Sequence, residues 1–307
     1  MKIDKIDYSH YGECVIISND TVEVLVTTQL GPRIIAYRFI NGENILGELT
    51  DADVVPTEWG EWHPWGGHRL WHSPEAKPRS YVPDNDPVKV DIVGGDTVIV
   101  NAPFEYQTGI QKEMIIKLAS NGTKLEVIHK LTNKGVWTIK LAPWALTIMK
   151  GGGTTICPQE PFIPHTGELL PARPLTMWHY TDFTDSRWTL GKKYILLKSD
   201  DTLDFAQKVG AANKQGWAGY LLDKQLFIKR FAYVDGEEYP DYGCNFETYT
   251  CGSFMEVETV GYLSTLKPGD SAVHTEYWYL FNDVECDLSE DSIDKSILPL
   301  LELTESL

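Results

Sequence analysis

The sequence predicts an all-β protein, folded as a large sandwich of two antiparallel sheets over residues 1–285 and followed by a helical tail over residues 286–307. Short β-rich segments follow one another along most of the chain, and Asn-Gly, Gly-Gly and Pro-Gly turns separate them. The segments show neither the strand–helix alternation of α/β proteins nor the repeat period of a propeller. No low-complexity linker divides the 307 residues, so we expect one large β domain.

The first forty residues or so predict a β-meander. Residues 14–18 and 22–28 form two short β-rich runs, and valines occupy every other position at the start of the second run, as in a half-buried strand. Gly31-Pro32 ends this run, and a further strand is predicted over residues 34–40. Asn41-Gly42 then gives the strongest hairpin signal in the chain.

Residues 50–88 are rich in Pro, Gly and Trp and show no clean periodicity, which predicts a long loop. Pro74, Pro78, Pro83 and Pro87 argue against a helix in this region, because an internal proline lacks the N–H that a helix needs. Loops of this length inside a domain usually carry function.

Strand-like runs resume after this loop and continue to the end of the β domain. The later chain predicts only one helix, over residues 290–298, with Ser289 as its N-cap. The predicted strands cover residues 88–93, 97–100, 111–118, 125–131, 136–141, 144–149, 194–197, 217–222, 226–232, 246–249, 253–260 and 272–281.

Composition and charge exclude several classes of function. A formal net charge of −17 disfavours nucleic acid and anionic membranes as partners. No apolar run is long enough for a transmembrane helix, and the first residues lack the apolar segment of a signal peptide. The five cysteines are scattered and odd in number, without C-x-x-C spacing. We therefore expect a cytoplasmic protein with neither a disulfide framework nor a cysteine metal site.

The segment 65–75 combines two glycines, two histidines, an arginine, a glutamate and two tryptophans within eleven residues. Tryptophan provides a flat amphipathic surface for the C–H faces of sugars, and the histidines, four residues apart, share one face of a strand or a helix. This mixture predicts one wall of a carbohydrate site, although each histidine or tryptophan taken singly is more typical of a structural position. The candidates are Trp65, His68, Arg69, Trp71, His72 and Glu75.

A second candidate wall lies in the predicted strand over residues 253–260. Glu256 and Glu258 point to the same face of that strand, roughly 6.5–7 Å apart. If they are buried, desolvation and mutual repulsion raise at least one carboxyl pKa, as general acid/base chemistry requires. The alternative is a solvated face on which both glutamates pair with Lys or Arg. Glu247 is a weaker candidate for the same cluster.

Several collinear segments resemble aldose 1-epimerases (galactose mutarotases). Glu258-Thr259 resembles the Glu-Thr strand that carries the catalytic base of that family, and the Gly66-Gly67 segment is similar to its hexose-6-phosphate epimerase branch. The resemblance implies a β-supersandwich fold, sugar binding, Glu258 as general base and no cofactor. The other similar segments are 31–35, 41–46, 266–270 and 274–281.

The chain departs from the family at one position. Leu131-Thr132-Asn133 matches a family segment, but Lys134 stands where the family has the histidine that acts as general acid. A lysine of ordinary pKa, near 10.4, transfers protons poorly at neutral pH. Either His68 or His72 therefore supplies the acid, or the protein does not perform standard mutarotation.

The leading hypothesis is anomer exchange of a small-molecule sugar by acid/base ring opening, without cofactor or metal. Glu258 acts as base and His68 or His72 as acid, because histidine titrates near neutral pH. Arg69 holds a hydroxyl or carboxylate group of the sugar. The further substrate-binding candidates are Glu75, Glu256, Trp65, Trp71 and Trp144.

Three alternatives remain open from the sequence. A non-catalytic sugar-binding protein fits the absence of the family histidine. A metal-dependent enzyme would use His68, His72 and a glutamate as ligands, since their spacing permits two ligands on one face. A lyase acting on acidic polysaccharides fits the fold, although the acidic net charge disfavours it.

Overall fold

Two large antiparallel sheets packed face to face make up most of the protein, and the computed structural model describes residues 1–305. The predicted all-β sandwich is confirmed. The strands are β1 (Lys2–Asp7), β2 (Glu13–Ser18), β3 (Val22–Thr27), β4 (Arg33–Phe39), β5 (Glu48–Leu49), β6 (Val55–Thr57), β7 (Gly60–Trp62), β8 (Trp65–Gly66), β9 (His68–Ser73), β10 (Lys89–Val93), β11 (Thr97–Asn101), β12 (Ile110–Leu118), β13 (Leu125–Asn133), β14 (Ile139–Lys150), β15 (Thr154–Pro158), β16 (Leu175–Met177), β17 (Trp188–Leu190), β18 (Tyr194–Lys198), β19 (Gln207–Ala211), β20 (Trp217–Leu222), β21 (Gln225–Phe231), β22 (Phe246–Cys251), β23 (Phe254–Val260), β24 (Ser264–Leu266) and β25 (Ser271–Phe281).

The first sheet has the strand order β1-β2-β3-β4-β9-β14-β23-β22-β19-β16, with β24 pairing to one end of β14. The second sheet has the order β10-β11-β12-β13-β25-β21-β20-β15-β18-β17. Two small hairpin-like pairs, β5–β8 and β6–β7, lie in the connection that precedes β9. We call the face of the first sheet that contacts the second sheet its inner face, and the opposite face its outer face.

Within residues 1–305, helical structure is limited to short elements. They are the 3₁₀ turns Ser9–Tyr11 and Arg79–Tyr81, a helical turn α1 (Pro240–Gly243), and the helices α2 (Glu290–Ser296) and α3 (Leu298–Leu301). The hydroxyl of Ser289 accepts a hydrogen bond from the backbone of Ser292 and caps α2, as predicted. The predicted single helix is divided, because Pro299 has no N–H and takes its place in the first turn of a new helix. No helix within residues 1–305 has the length and apolar character to cross a membrane.

The prediction of a continuous loop over residues 50–88 is wrong for its central part. Residues His68–Ser73 form β9, a central strand of the first sheet, and all six are buried. A strand that is covered on both faces has no alternation of polar and apolar residues, so periodicity could not reveal it. Its neighbours in the sheet are β4 on one side and β14 on the other.

Strand register places the two predicted walls side by side. β9 and β23 pair with opposite edges of β14, so that Arg69 and Glu258 both lie level with Leu146. The main apolar core fills the space between the sheets, and it includes Met149, Val257 and Trp278. A separate apolar cluster, containing Trp71 and Trp144, lies on the outer face.

Candidate functional site

The outer face of the first sheet carries a compact group of charged and aromatic side chains. β9 contributes Arg69 and Trp71, β14 contributes Trp144, and β23 contributes Glu256 and Glu258. Period-two alternation puts the members from each strand on one face, and the contacts between strands confirm it. With Lys208 and Glu247 from the adjoining strands β19 and β22, these seven residues form the candidate site.

Glu258 lies at the base of the candidate site and is completely buried. The indole N–H of Trp144 donates to its Oε2 at 2.8 Å, and the Lys208 ammonium donates to both carboxylate oxygens at 3.0–3.1 Å. These charge-assisted hydrogen bonds stabilise the negative charge of the Glu258 carboxylate away from water. Lys208 also lies over the rings of Trp144 and Trp178, at 5.0 and 4.8 Å from the ring centroids.

Glu247 stands directly opposite Glu258 in the β22–β23 pairing and shares the same ammonium. Its Oε2 lies 2.7 Å from Lys208 Nζ, but neither of its oxygens has hydrogen-bond geometry to any described residue. Burial raises the pKa of Glu247 to about 8, and the neighbouring Glu258 charge adds to the rise while Lys208 opposes it. The Glu247 carboxyl can therefore hold a proton at neutral pH beside the Lys208–Glu258 ion pair.

Arg69 and Glu256 form the second ion pair of the site, with 3.1 Å between Nη2 and Oε1. The Arg69 guanidinium lies over two indoles that pack edge-on against each other, 4.6 Å from the centroid of Trp71 and 5.5 Å from that of Trp62. Burial raises the pKa of Glu256 to about 7, against the lowering effect of Arg69. Glu256 can therefore hold or release a proton at neutral pH.

The rim of the site is aromatic. Trp71 packs edge-on against both Trp144 and Tyr81, at 5.5 and 5.1 Å between ring centroids. The Tyr81 hydroxyl donates to Glu75, which is exposed and lies at the edge of this cluster. On the opposite side Tyr180 packs edge-on against Tyr249. Indoles and phenols around buried carboxyl groups make a surface suited to a polar ring with apolar faces, such as a sugar.

Solved structures of known proteins share this architecture. A galactose mutarotase-like protein from Lactobacillus casei aligns over 87% of this chain and 100% of its own, at 11% identity and a TM-score of 0.59. A galactose mutarotase related enzyme from Lactobacillus acidophilus aligns over 88% and 98%, at 11% identity and a TM-score of 0.50. The chain has the galactose mutarotase-like fold.

A larger protein shares this architecture over part of its length. A TPR-domain containing protein from Parabacteroides distasonis aligns over 90% of this chain but only 48% of its own, at 14% identity and a TM-score of 0.62. No protein-family model and no curated protein sequence matches the chain. The resemblance stated from the sequence is thus confirmed at the level of the fold.

The two histidines predicted as acid candidates lie on the other side of β9. His68 and His72 alternate with Arg69 and Trp71, so they occupy the inner face between the sheets. His68 hydrogen-bonds to Thr147 Oγ1 at 2.8 Å and to His129 Nε2 at 2.6 Å. This corrects the expectation that a histidine faces Glu258, because the sheet itself separates them.

One further candidate, Trp65, and the position of the family histidine, Lys134, both lie away from the site. The Trp65 indole donates to Asn85 at 2.9 Å and stacks on His63, away from Glu258. Lys134 is an exposed residue of the turn after β13, where its backbone N–H bonds to Gly109. The expectation that Trp65 contacts a sugar together with Trp71 and Trp144 is therefore corrected as well.

The metal-dependent alternative assigned His68 and His72 to one metal ion. In the structure, however, His68 lies beside His129 and Glu276 instead. Within residues 1–305, ligand atoms of His68, His129 and Glu276 lie within 4.8 Å of one another. The Lys229 ammonium lies 2.9 Å from Glu276 Oε1 and already supplies the positive charge of this cluster. The cluster is a hydrogen-bonded ion pair between the sheets, and no candidate-site glutamate belongs to it.

Lys208 was not anticipated from the sequence, and Glu247 only weakly. β19 was not predicted, since its sequence Gln-Lys-Val-Gly-Ala mixes polar and small residues without alternation. All five β19 residues are buried in the structure, and a buried lysine needs carboxylate partners, but this burial cannot be read from the sequence.

The pKa of His72, on the inner face of the first sheet, is lowered, and that of Glu256, on the outer face, is raised. These opposite shifts predict how the free energy of unfolding depends on pH. The pKa of His72 is lowered to about 3, chiefly by burial and then by Lys112 and Arg79, so between pH 3 and 6.5 the unfolded chain binds a proton that the folded chain does not. In His72→Leu we expect the slope of unfolding free energy against pH, between about pH 4.5 and 6.5, to fall by about 1.4 kcal/mol per pH unit.

Glu256→Gln should change that slope in the opposite direction. Between pH 4.5 and about 7 the folded Glu256 carboxyl binds a proton that the unfolded one lacks, so its removal should raise the slope by about 1.4 kcal/mol per pH unit. Urea titrations at four pH values measure both variants. Equal slopes in the two variants and the wild type would show that neither group is shifted by burial.

Proposed function

We propose that this protein binds a sugar on the outer face of its first sheet and interconverts the sugar's anomers by ring opening. One observation carries the proposal: two buried carboxyl groups, Glu256 and Glu258, occupy successive same-face positions of β23 among indoles and two cations. The fold is shared with a galactose mutarotase related enzyme, which supports the same class of chemistry.

The reaction needs one proton acceptor and one proton donor. Glu258 takes the proton of the anomeric hydroxyl while Glu256 gives its proton to the ring oxygen, and the bond between C1 and the ring oxygen breaks. The open-chain aldehyde rotates about C1–C2, and closure on the other face of C1 reverses both transfers. Glu256 replaces histidine as the acid in this scheme, since its pKa of about 7 leaves it protonated in much of the neutral range.

The remaining site residues orient the sugar and manage charge. Trp71 and Trp144 provide the flat surfaces on which a sugar ring packs. Arg69 lies over the Trp71 ring, and its Nε and Nη1 have no hydrogen bonds to any described residue, so it can bind sugar oxygens. Lys208 keeps a positive charge beside Glu258 during the reaction.

The test is catalysed anomer exchange, followed by polarimetry and by NMR exchange spectroscopy on a panel of free and phosphorylated aldoses. We expect a rate above the spontaneous one for at least one sugar, and no requirement for added metal. No acceleration with any sugar of the panel, in the presence of demonstrated sugar binding, would contradict the proposal.

The pH dependence tests the assignment of the acid. Because the donor must be protonated, we expect kcat/KM to fall about tenfold per pH unit above the Glu256 pKa of about 7. In Glu256→Gln this descending limb should disappear together with most of the activity. A limb that persists in the variant would assign the proton to another group.

A second candidate is sugar binding without catalysis. Glu258 is completely buried and already accepts hydrogen bonds from Lys208 and Trp144, so a sugar hydroxyl can reach it only if the side chains that cover it move. A protein that only binds sugars would keep these bonds intact. Unchanged sugar affinity in Glu258→Gln, with no exchange activity in the wild type, would favour this candidate.

A further inference from the structure

A cavity of about 190 Å³ lies on the side of β9 away from the candidate site. β9 contributes Leu70 to its wall, the segment after the Arg79–Tyr81 turn contributes Asp84, and β12 contributes Lys112. The loop between β11 and β12 forms the mouth with Phe104 and Tyr106. The cavity therefore has walls from both sheets and shares none of the seven candidate-site residues.

Two buried polar side chains with unpartnered atoms lie in or beside the wall of this cavity. Asp84 accepts a hydrogen bond from Arg33 through Oδ2 at 2.6 Å, but its buried Oδ1 has no partner among the described residues. His72 follows Leu70 on the same face of β9 and is 1% exposed, and neither ring nitrogen has a partner in residues 1–305. Buried donors and acceptors in folded proteins are almost always satisfied. Asp84 thus leaves the wall with a free acceptor for a ligand hydroxyl, and His72 lies beside the wall without lining it.

Charge and size restrict the class of ligand. The charged groups of the wall form ion pairs, Arg33 with Asp84 and Lys112 with Glu105, while Asp86 is exposed at the rim. A charged ligand would have to compete with these pairs, whereas a neutral one need not. The volume corresponds to about six water molecules at about 30 Å³ each, which is the size of a monosaccharide.

The mouth adds an aromatic surface. Phe104 and Tyr106 pack edge-to-face with 4.7 Å between ring centroids, and Tyr106 is 85% exposed. An exposed aromatic side chain beside a polar cavity is suited to the C–H face of a polyol. We infer that this cavity is a second binding site, for a neutral polyhydroxylated molecule of monosaccharide size, on the inner side of β9.

The test is an NMR titration of the full chain that follows backbone amides, the His72 ring protons and the indole N–H groups. The probes are D-glucose and D-galactose, with D-glucuronate and D-glucosamine as charged comparators at equal ionic strength. A neutral sugar should shift the His72 ring and the 102–107 amides. The charged comparators should bind about tenfold more weakly at these positions.

Two variants separate this site from the outer face. Ala102→Phe adds a ring to a residue that lines the cavity and should abolish the shifts at His72. Tyr106→Ala removes an exposed side chain at the mouth and should weaken binding about tenfold, whereas Tyr242→Ala, at a 95% exposed tyrosine that does not line the cavity, should leave it unchanged. Tyr106→Ala keeps the test decisive if Ala102→Phe does not fold.

Other results overturn the inference. Shifts confined to the indoles of Trp71 and Trp144 would place all sugar binding at the outer face. Equal sugar affinity in Tyr106→Ala and Tyr242→Ala would show that the aromatic mouth does not contribute to sugar binding. Tighter binding of a charged comparator would refute a neutral ligand. Because the readout is binding at named positions, it does not depend on whether the protein exchanges anomers.

Discussion

Lys229→Met is expected to lower the free energy of unfolding by about 3–5 kcal/mol, because it leaves a buried carboxylate without its counter-charge. Lys229 and Glu276 are both completely buried between the sheets, 2.9 Å apart. The ammonium also donates to Thr147 Oγ1 at 2.6 Å and to the Val257 carbonyl at 3.0 Å. All three of its N–H groups are thereby satisfied, and chemical denaturation in urea measures the loss.

The double variant and an exposed pair are the controls. In Lys229→Met/Glu276→Gln no charge is left unpaired, so at least half of the lost stability should return. Lys224→Met breaks the exposed pair Lys224–Glu285 and should change stability by less than about 0.5 kcal/mol. If the double variant is as unstable as the single one, the cost lies in lost packing or hydrogen bonds and not in an unpaired charge.

The same network determines the protonation of the inward-facing histidines. His129 Nδ1 donates to the His274 carbonyl, so the Nε2 of neutral His129 accepts from His68 Nε2–H. His68 Nδ1 then accepts from the hydroxyl of Thr147, which itself accepts from Lys229. Burial, the first cause, and the neighbouring cations lower the pKa of His68 well below its ordinary value. These histidines are neutral structural groups, which is why they do not serve as the acid.

The network also supports the candidate site from beneath. Thr147 and Val257 are partners in the β14–β23 register, and Val257 lies between the two site glutamates in sequence. Lys229 of the second sheet therefore holds the backbone of β23 at the point from which Glu256 and Glu258 project outward. A hydrogen bond from Lys229 on the inner face of β23, and ion pairs of its glutamates with Lys208 and Arg69 on the outer face, hold the strand in the sandwich.

The sequence could predict β23 and its two glutamates because the strand alternates in a readable way. Met255 and Val257 belong to the core while Glu256 and Glu258 face outward, which is the period-two pattern. The sequence could not show which residues of β9 face inward, since polar and apolar residues occupy both of its faces. The inner face is polar where it meets Lys229 and His129. Sequence reasoning therefore found the right segment but assigned its histidines to the wrong face.

Contacts between residues far apart in the sequence were the other feature that sequence reasoning could not predict. Nothing near Lys208 in the sequence indicates that it meets Glu258, fifty residues away, because that contact depends on the order β23-β22-β19 in the sheet. Trp144 was anticipated only as a stacking surface, whereas its N–H is a direct hydrogen-bond donor to the candidate base. Sheet order is a property of the whole chain, so local pattern could not supply it.

Glu258→Gln is expected to reduce kcat/KM for anomer exchange by about 10³-fold, because the amide cannot accept the proton of the anomeric hydroxyl. The side chain keeps its size, and its carbonyl oxygen can still accept a hydrogen bond from Lys208 or Trp144. We therefore expect the fold and the sugar affinity to change little. Exchange spectroscopy measures the rate, and a titration with the same sugar measures the affinity.

Glu23→Gln is the matched control, since Glu23 is a partly buried glutamate in an ion pair with Arg38, and neither residue belongs to the candidate site. It should retain the wild-type rate. A further readout follows from the shared cation: without the Glu258 charge, the pKa of Glu247 should fall, because Glu258 contributes to its rise. Loss of activity together with loss of sugar binding would make Glu258 a binding residue. Full activity in the variant would exclude it as the base.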